Sequence, residues 1–329
     1  MADSHIPNSQ ATPGWKDYSF PRTQFIDAAQ TKVVDGNPQR YSGTVPIDWC
    51  AGAGSRGNLP AFGGLLCAAI VNAACQFSRA QFQDRTKHQP LSLNAEFLGI
   101  VPQGAYCINA SILHSSASTA TIQADIVPTE SSKTIVYCRA IVRVGSLKRK
   151  GLSDEETYAQ QAVVVPDRIR DCNRSSDAFY YHINPPSSTT RVYTPHGGPS
   201  PLWSPRFGGR NVRYMWHKLD NGKMFETEHL LLLADLIPPI PLNYEDDALQ
   251  GVLKYQMPTI SLQIKFCEEI QGDEWLLTKT KLRWLSGARF DESIDIINDR
   301  GQIVATCHQL VARLPSKMFK PAGNPRGRL

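Results

Sequence analysis

Few residues in this chain have the type and setting to do chemistry. Gln309 stands in Ala305-Thr306-Cys307-His308-Gln309, a strand-like run. A carboxamide there can orient a water or a carbonyl, or simply hydrogen-bond inside a buried interface. Asp235 closes a Leu-rich stretch, Leu230 to Ile237, that reads as a helix ended by Pro238-Pro239. The helix dipole disfavours a negative charge at that end, so the carboxylate calls for a partner, such as an Arg, or for a task. Ser261, Gln263 and Lys265 alternate with Leu262, Ile264 and Phe266. That places the three polar side chains on one sheet face, lining a cavity or meeting water. Gly63 and Gly64 lie where a small-residue helix begins. Exposed N–H groups there can bind a carbonyl oxygen or a carboxylate; alternatively, the glycines serve close packing.

Other patterns carry little. Gly52-Ala53-Gly54-Ser55-Arg56-Gly57 fits GxGxxG but lacks the βαβ context of a dinucleotide site. The same stretch misses the strand–helix alternation of a nucleophile elbow. The eight cysteines form no CxxC pair, and several sit in apolar runs, as small buried hydrophobes in a reducing compartment do. No metal-ligand spacing is found, so no metal and no cofactor is expected. His229 and His308 read as structural.

The elements that must position these residues come in two similar sets. The chain has 329 residues, with 35 Lys and Arg against 30 Asp and Glu. That charge is spread along the chain, which argues against nucleic acid as a partner. No apolar run approaches the ~20 residues of a membrane span. Met1 to Gly14 lacks signal-peptide blocks, so a cytoplasmic protein is expected; Gly327-Arg328-Leu329 is only a weak peroxisomal match. Strand 40–45, helix 61–83 and strands 90–98, 105–113, 118–126 and 133–144 make the first set. Strand 210–218, helix 225–237 and strands 258–266, 274–284, 288–297 and 302–314 make the second. Leu91 to Phe97 mirrors Ile260 to Phe266 at an offset of 169 residues (92 to 261), and Ile135-Val136 mirrors Ile303-Val304 at 168 (135 to 303). Near-equal offsets at distant points indicate a duplicated unit. The expected organisation is an extension 1–39, a first unit 40–145, a Pro-rich irregular connection 146–209, a second unit 210–315 and a tail 316–329. Aromatics of the connection (Phe179, Tyr180, Tyr181, Tyr193, Trp203, Phe207) either close a pocket or anchor the segment to the sheet.

Strand, helix, then four antiparallel strands resembles the hotdog fold, and its duplication resembles the double-hotdog acyl-CoA thioesterases. Pro60-Ala61-Phe62-Gly63-Gly64, Leu93-Asn94-Ala95-Glu96-Phe97-Leu98, Leu230 to Pro239, Asp273 to Leu277 and Asp299 to Ala305 carry the resemblance. In style the chain is most similar to thioesterase-like proteins of filamentous fungi. The resemblance implies an α+β double hotdog, each unit an antiparallel sheet around a central helix. It further implies a water held by an Asp, a Ser or Thr, and a Gln of the second half, with the acyl oxygen at a helix start. On this sequence Gln309 falls on the Gln position and Ser286 is the nearest hydroxyl. The Asp position falls on Ser261, which cannot serve as a base at neutral pH. Gly63, Gly64, Gln263 and Trp284 are the expected ligand-binding residues, and Asp235 is a further catalytic candidate. Acyl-thioester hydrolysis is the first expectation. A carboxylate such as Asp235 or Asp48 reaching Gln309 would favour it. A non-hydrolytic cyclase, Diels–Alderase, dehydratase or isomerase acting on a polyketide or terpenoid is the alternative, and a non-catalytic binding protein the second. The expected partner is a small hydrophobic acyl, polyketide or terpenoid molecule, with a homodimer compatible with exposed sheet edges.

Overall fold

The computed structural model describes residues 23–50, 60–82, 88–130, 135–147, 165–175, 184–200, 202–245, 255–270 and 272–315. The Gly52–Gly57 stretch, the aromatics Phe179, Tyr180 and Tyr181, and the tail 316–329 lie outside them. The N-terminal part contributes helix α1 (Phe25–Ala29) and strand β1 (Lys32–Val34). The first half then holds β2 (Asn37–Val45), helix α2 (Gly63–Gln81), β3 (Gln89–Phe97), β4 (Gly104–Ser115), β5 (Thr119–Pro128) and β6 (Cys138–Gly145). β7 (Cys172–Arg174) and β8 (Thr190–Pro195) follow. The second half holds β9 (Val212–Leu219), helix α3 (His229–Leu236), β10 (Tyr255–Gln256), β11 (Thr259–Phe266), β12 (Leu276–Ser286), β13 (Arg289–Asn298), β14 (Ile303–Ala312) and β15 (Leu314–Pro315).

Among the described residues, thirteen strands form one sheet in the order β1-β2-β4-β5-β6-β3-β11-β14-β13-β12-β9-β8-β7. Its centre is the β3–β11 pair, and the order β3-β6-β5-β4-β2 on one side repeats as β11-β14-β13-β12-β9 on the other. Asn94 pairs with Gln263. These two are equivalents at the 169-residue offset, so a pseudo-twofold axis passes between them. Each half also carries a bulge at the same place, between Pro90 and Ser92 in β3 and between Thr259 and Ser261 in β11.

The two helices lie against the inner face of this sheet. α2 is buried from Gly64 to Ser78 except at half-buried Asn72 and Gln76, which bond to Thr31, as a mostly apolar helix must be. α3 starts at His229, later than the expected Phe225. The Phe225 N–H is engaged by Asp273 O, and the Glu226 N–H by the His229 ring. The connection is less irregular than its prolines suggest, since β7 and β8 extend the sheet beyond β9. Its aromatics anchor it there: Tyr193 meets Trp275 edge-on at 5.3 Å, and Phe207 meets Tyr214 at 6.1 Å.

The helices meet where glycine is required. A Cβ on Gly64 would stand 2.6 Å from the Leu231 carbonyl oxygen, and one on Gly63 would stand 2.8 Å from Asp235 Oδ2. Rigid backbone cannot yield as a flexible side chain can. Gly64→Ala is expected to destabilise the fold by about 1–3 kcal/mol, the usual cost of overpacking. Urea unfolding followed by tryptophan fluorescence checks this, and an unshifted midpoint would show that the helices have room to part.

Candidate active site

Asp235 sits in the last turn of α3, facing the first turn of α2. Its Oδ2 accepts the Gly64 N–H at 2.9 Å, and the Gly63 N–H also favours its charged form. The α2 N-terminus supplies the positive dipole end that the C-terminus of α3 lacks. On the other side, Oδ1 accepts from Gln309 Nε2 at 3.0 Å and from the Thr259 hydroxyl at 3.2 Å. Gln309 Nε2 also donates to Ala234 O at 2.8 Å, so both its hydrogens are committed and the amide orientation is set. One carboxylate thus joins a helix of the first half to a helix and two strands of the second. Burial raises the Asp235 pKa from the ordinary carboxylate range to about 6, against the opposing pull of these hydrogen bonds. A carboxylate that titrates there is ionised at neutral pH and is a far better proton acceptor than an exposed one.

The β11 bulge decides which hydroxyl reaches this carboxylate. Leu262 pairs with Gln309 and Ile264 with Cys307, on the inner face. Simple alternation would turn Thr259 outward with Ser261. The extra residue at the bulge instead sets Thr259 opposite Val311, which is buried on the inner face with Gln309 and Cys307.

The structure therefore unites four of the expected residues, Gln309, Asp235, Gly63 and Gly64, and redistributes the rest. Ser261 lies on the opposite sheet face from Gln309; the carboxylate beside Gln309 is that of Asp235. Ser286 is at the exposed β12–β13 hairpin, paired with Arg289, and does not approach Gln309. Trp284, 43% exposed, is on the same hairpin beyond a bulge that follows Leu282. Gln263 is exposed on the outer face, at the pseudo-twofold axis. The Gly64 N–H is engaged by Asp235 itself, not left open toward an acyl oxygen. Asp48 is elsewhere, accepting the Thr23 N–H. Among the described residues no group of His, Cys, Asp and Glu is arranged to hold a metal.

Thr259 is the residue that alternation missed. Only the paired bulges reveal it, through register and not residue type.

Two family models match the chain. Residues 50–144 match the acyl-CoA thioesterase N-terminal domain and residues 170–312 the acyl-CoA thioesterase C-terminal domain. The chain belongs to the acyl-CoA thioesterase family. No curated protein sequence matches it. Among solved structures it is similar to a protein assigned as a thioesterase II from Thermobifida fusca. The TM-score is 0.67 at 19% identity, covering 89% of this chain and 98% of that one. An acyl-CoA thioesterase II from Mycobacterium marinum gives 0.63 at 16% identity, covering 89% and 100%. A hotdog-fold protein of unknown function from Alicyclobacillus acidocaldarius gives 0.65 at 20%, covering 88% and 97%. The fold is a double hotdog, as its sequence resemblance implied.

The Thr259 hydroxyl stabilises the ionised form of Asp235, so its removal lets burial push the pKa further up. Thr259→Val is expected to raise the Asp235 titration midpoint above about 6. Carbon-13 NMR of the labelled aspartate carboxyl reads this directly; a midpoint unchanged or lowered would mean the hydroxyl does not serve the carboxylate. The sign for stability follows from the raised folded value. Asp235 contributes most below the ordinary unfolded carboxylate pKa, and that contribution is lost as pH rises through about 6.

Proposed function

We propose that this protein hydrolyses acyl thioesters of the acyl-CoA type, with Asp235 as the general base. The observation that carries this is the single carboxylate bound by Gln309, Thr259 and Gly64, with its pKa lifted to about 6. Family membership supports it. A water at Asp235 would give up its proton to the carboxylate as its oxygen attacks the thioester carbonyl carbon. The carbon–sulfur bond then breaks, and the departing thiolate takes the proton back from Asp235. Products are a carboxylic acid and a thiol.

The acyl group is expected to be apolar. The helix that carries the carboxylate is apolar and buried from Leu230 to Ala234, and Phe62 and Phe97 flank the Gly63–Gly64 start of α2 that faces it. The case for a non-hydrolytic reaction rests on Ser261 standing in place of a carboxylate. With Asp235 beside Gln309, that case loses its premise.

A screen of acyl-CoA chain lengths for thiol release tests the proposal. Turnover is expected on apolar acyl chains, with Asp235→Asn lowering kcat/KM by about 10²–10⁴, the usual contribution of a general base. No release on any chain length, or full activity in the Asp235→Asn variant, would refute it.

A further inference from the structure

A second carboxyl shares the inner face with the proposed base. Glu292 is directly opposite Gln309 in the β13–β14 ladder, so their side chains are neighbours on one face. It is only 3% exposed. Among the described residues it makes one hydrogen bond, accepting the Ile240 N–H at 3.2 Å from the turn that follows Asp235. Arg213 of β9 is the positive charge that bears on it. That guanidinium is held by other acceptors: Leu202 O at 3.0 Å, Pro238 O and the Asn243 side-chain oxygen.

Two observations argue against a purely structural carboxyl. First, the fold does not require one. By ladder register the first-half equivalents of Gln309 and Glu292 are Val142 and Ile122, which pair with each other as those two do. An isoleucine fills the same place in the other copy. Second, among the described residues the donors gathered at the carboxylate are already engaged. Thioester hydrolysis places negative charge on the carbonyl oxygen, which must be met by a hydrogen-bond donor. The Gly64 N–H, the Thr259 hydroxyl and a Gln309 N–H are all directed at Asp235, and the other Gln309 N–H at Ala234 O.

We propose that Glu292, as a neutral carboxylic acid, supplies that donor and is a catalytic residue of this protein, an assignment that rests on the hydrolytic function proposed above. Its O–H hydrogen-bonds the thioester carbonyl oxygen and keeps its own proton throughout. The water oxygen bonds to carbon, the water proton passes to Asp235, and the carbonyl π pair moves onto the oxygen beside Glu292. Collapse expels the thiolate, which is protonated by Asp235. Nothing is oxidised or reduced.

Burial supports the required protonation states by raising Glu292 to about 7 and Asp235 to about 6. That order, the donor titrating above the base, is the one an ionised base beside a protonated donor requires. The titratable and charged groups around Glu292 are Arg213 from β9, which lowers its pKa, and Asp291 on its own strand, which raises it. Cys307 from β14, whose thiol is raised by burial and by both carboxylates, stays neutral and does not compete. Asp235 faces it from α3, across Gln309.

The test is the pH dependence of kcat/KM on the acyl-CoA that the chain-length screen finds fastest, in the wild type and in the variants Glu292→Gln, Glu292→Leu and Asp235→Asn. The wild-type profile is expected to rise through about pH 6 as Asp235 ionises and to fall through about pH 7 as Glu292 does. Glu292→Gln keeps an N–H donor that cannot ionise, so it should retain the acid limb and lose the alkaline one. Glu292→Leu should lower kcat about 10²–10³-fold, as loss of an oxyanion donor does. An alkaline limb that survives in Glu292→Gln, or full activity in Glu292→Leu, overturns this inference alone. Full activity of Asp235→Asn, or no thiol release by the wild type, overturns the hydrolytic function and this inference with it. Should Glu292→Leu fail to fold, the limb in Glu292→Gln decides, since a mere counter-charge to Arg213 would leave that limb in place.

Discussion

A buried carboxylate is tolerated only where its lost hydration is replaced, and Asp235 is where the two halves of this molecule meet that demand together. Neither half could do so alone. The second half brings the carboxylate to the end of its own helix, where the dipole opposes it. The first half supplies the start of α2, whose N–H groups face it at hydrogen-bond distance. Gly63 and Gly64 follow from this, because any Cβ there would strike Asp235 or the Leu231 carbonyl. The β3–β11 pairing follows too, since it joins the halves into one sheet with the two helices in contact. Compensation is incomplete, which is why the pKa stays raised, and incomplete compensation is what leaves a proton acceptor near neutral pH.

Much of the fold was legible in the residues, because duplication doubles every weak signal. Strand positions on β3 and β11 could be matched by offset, and the Pro238-Pro239 stop ended α3 where expected. The Pro-rich connection was misread in part: proline density masks the short strands β7 and β8, which sit at the sheet edge where prolines are tolerated. The site was less legible, for a geometric reason. Period-two alternation assumes an unbroken pleat, and the bulge before Ser261 breaks it. It turns Thr259 to the inner face and leaves Ser261 on the outer one, whereas a reading by alternation puts both on the outer face. Asp235 was visible as an oddity, a charge at the wrong end of a helix, but its partner was a helix some 170 residues away in sequence. Glu292 did leave a trace that alternation alone can read. Phe290, Ile294 and Ile296 share its face in β13, and a carboxylate among them is out of place.

The halves share a frame but not a site. Register equates Thr259 with Pro90, Gln309 with Val142 and Glu292 with Ile122, so the first copy is apolar wherever the second is polar. The helix starts differ in the same sense. α2 gives its first N–H groups to the carboxylate of the other half, whereas the entry to α3 is closed by the His229 ring on the Glu226 N–H. A symmetric molecule would have to bury two such carboxyl clusters, each with its own desolvation cost, and would need an open helix start in both copies. Keeping one removes half of that cost and frees the first copy to pack as a plain apolar core. It also lets each copy specialise, one as donor of backbone N–H groups and the other as holder of side chains. The polar cluster of this chain is thus a consequence of the seam between the copies, and either unit taken alone would have half of it.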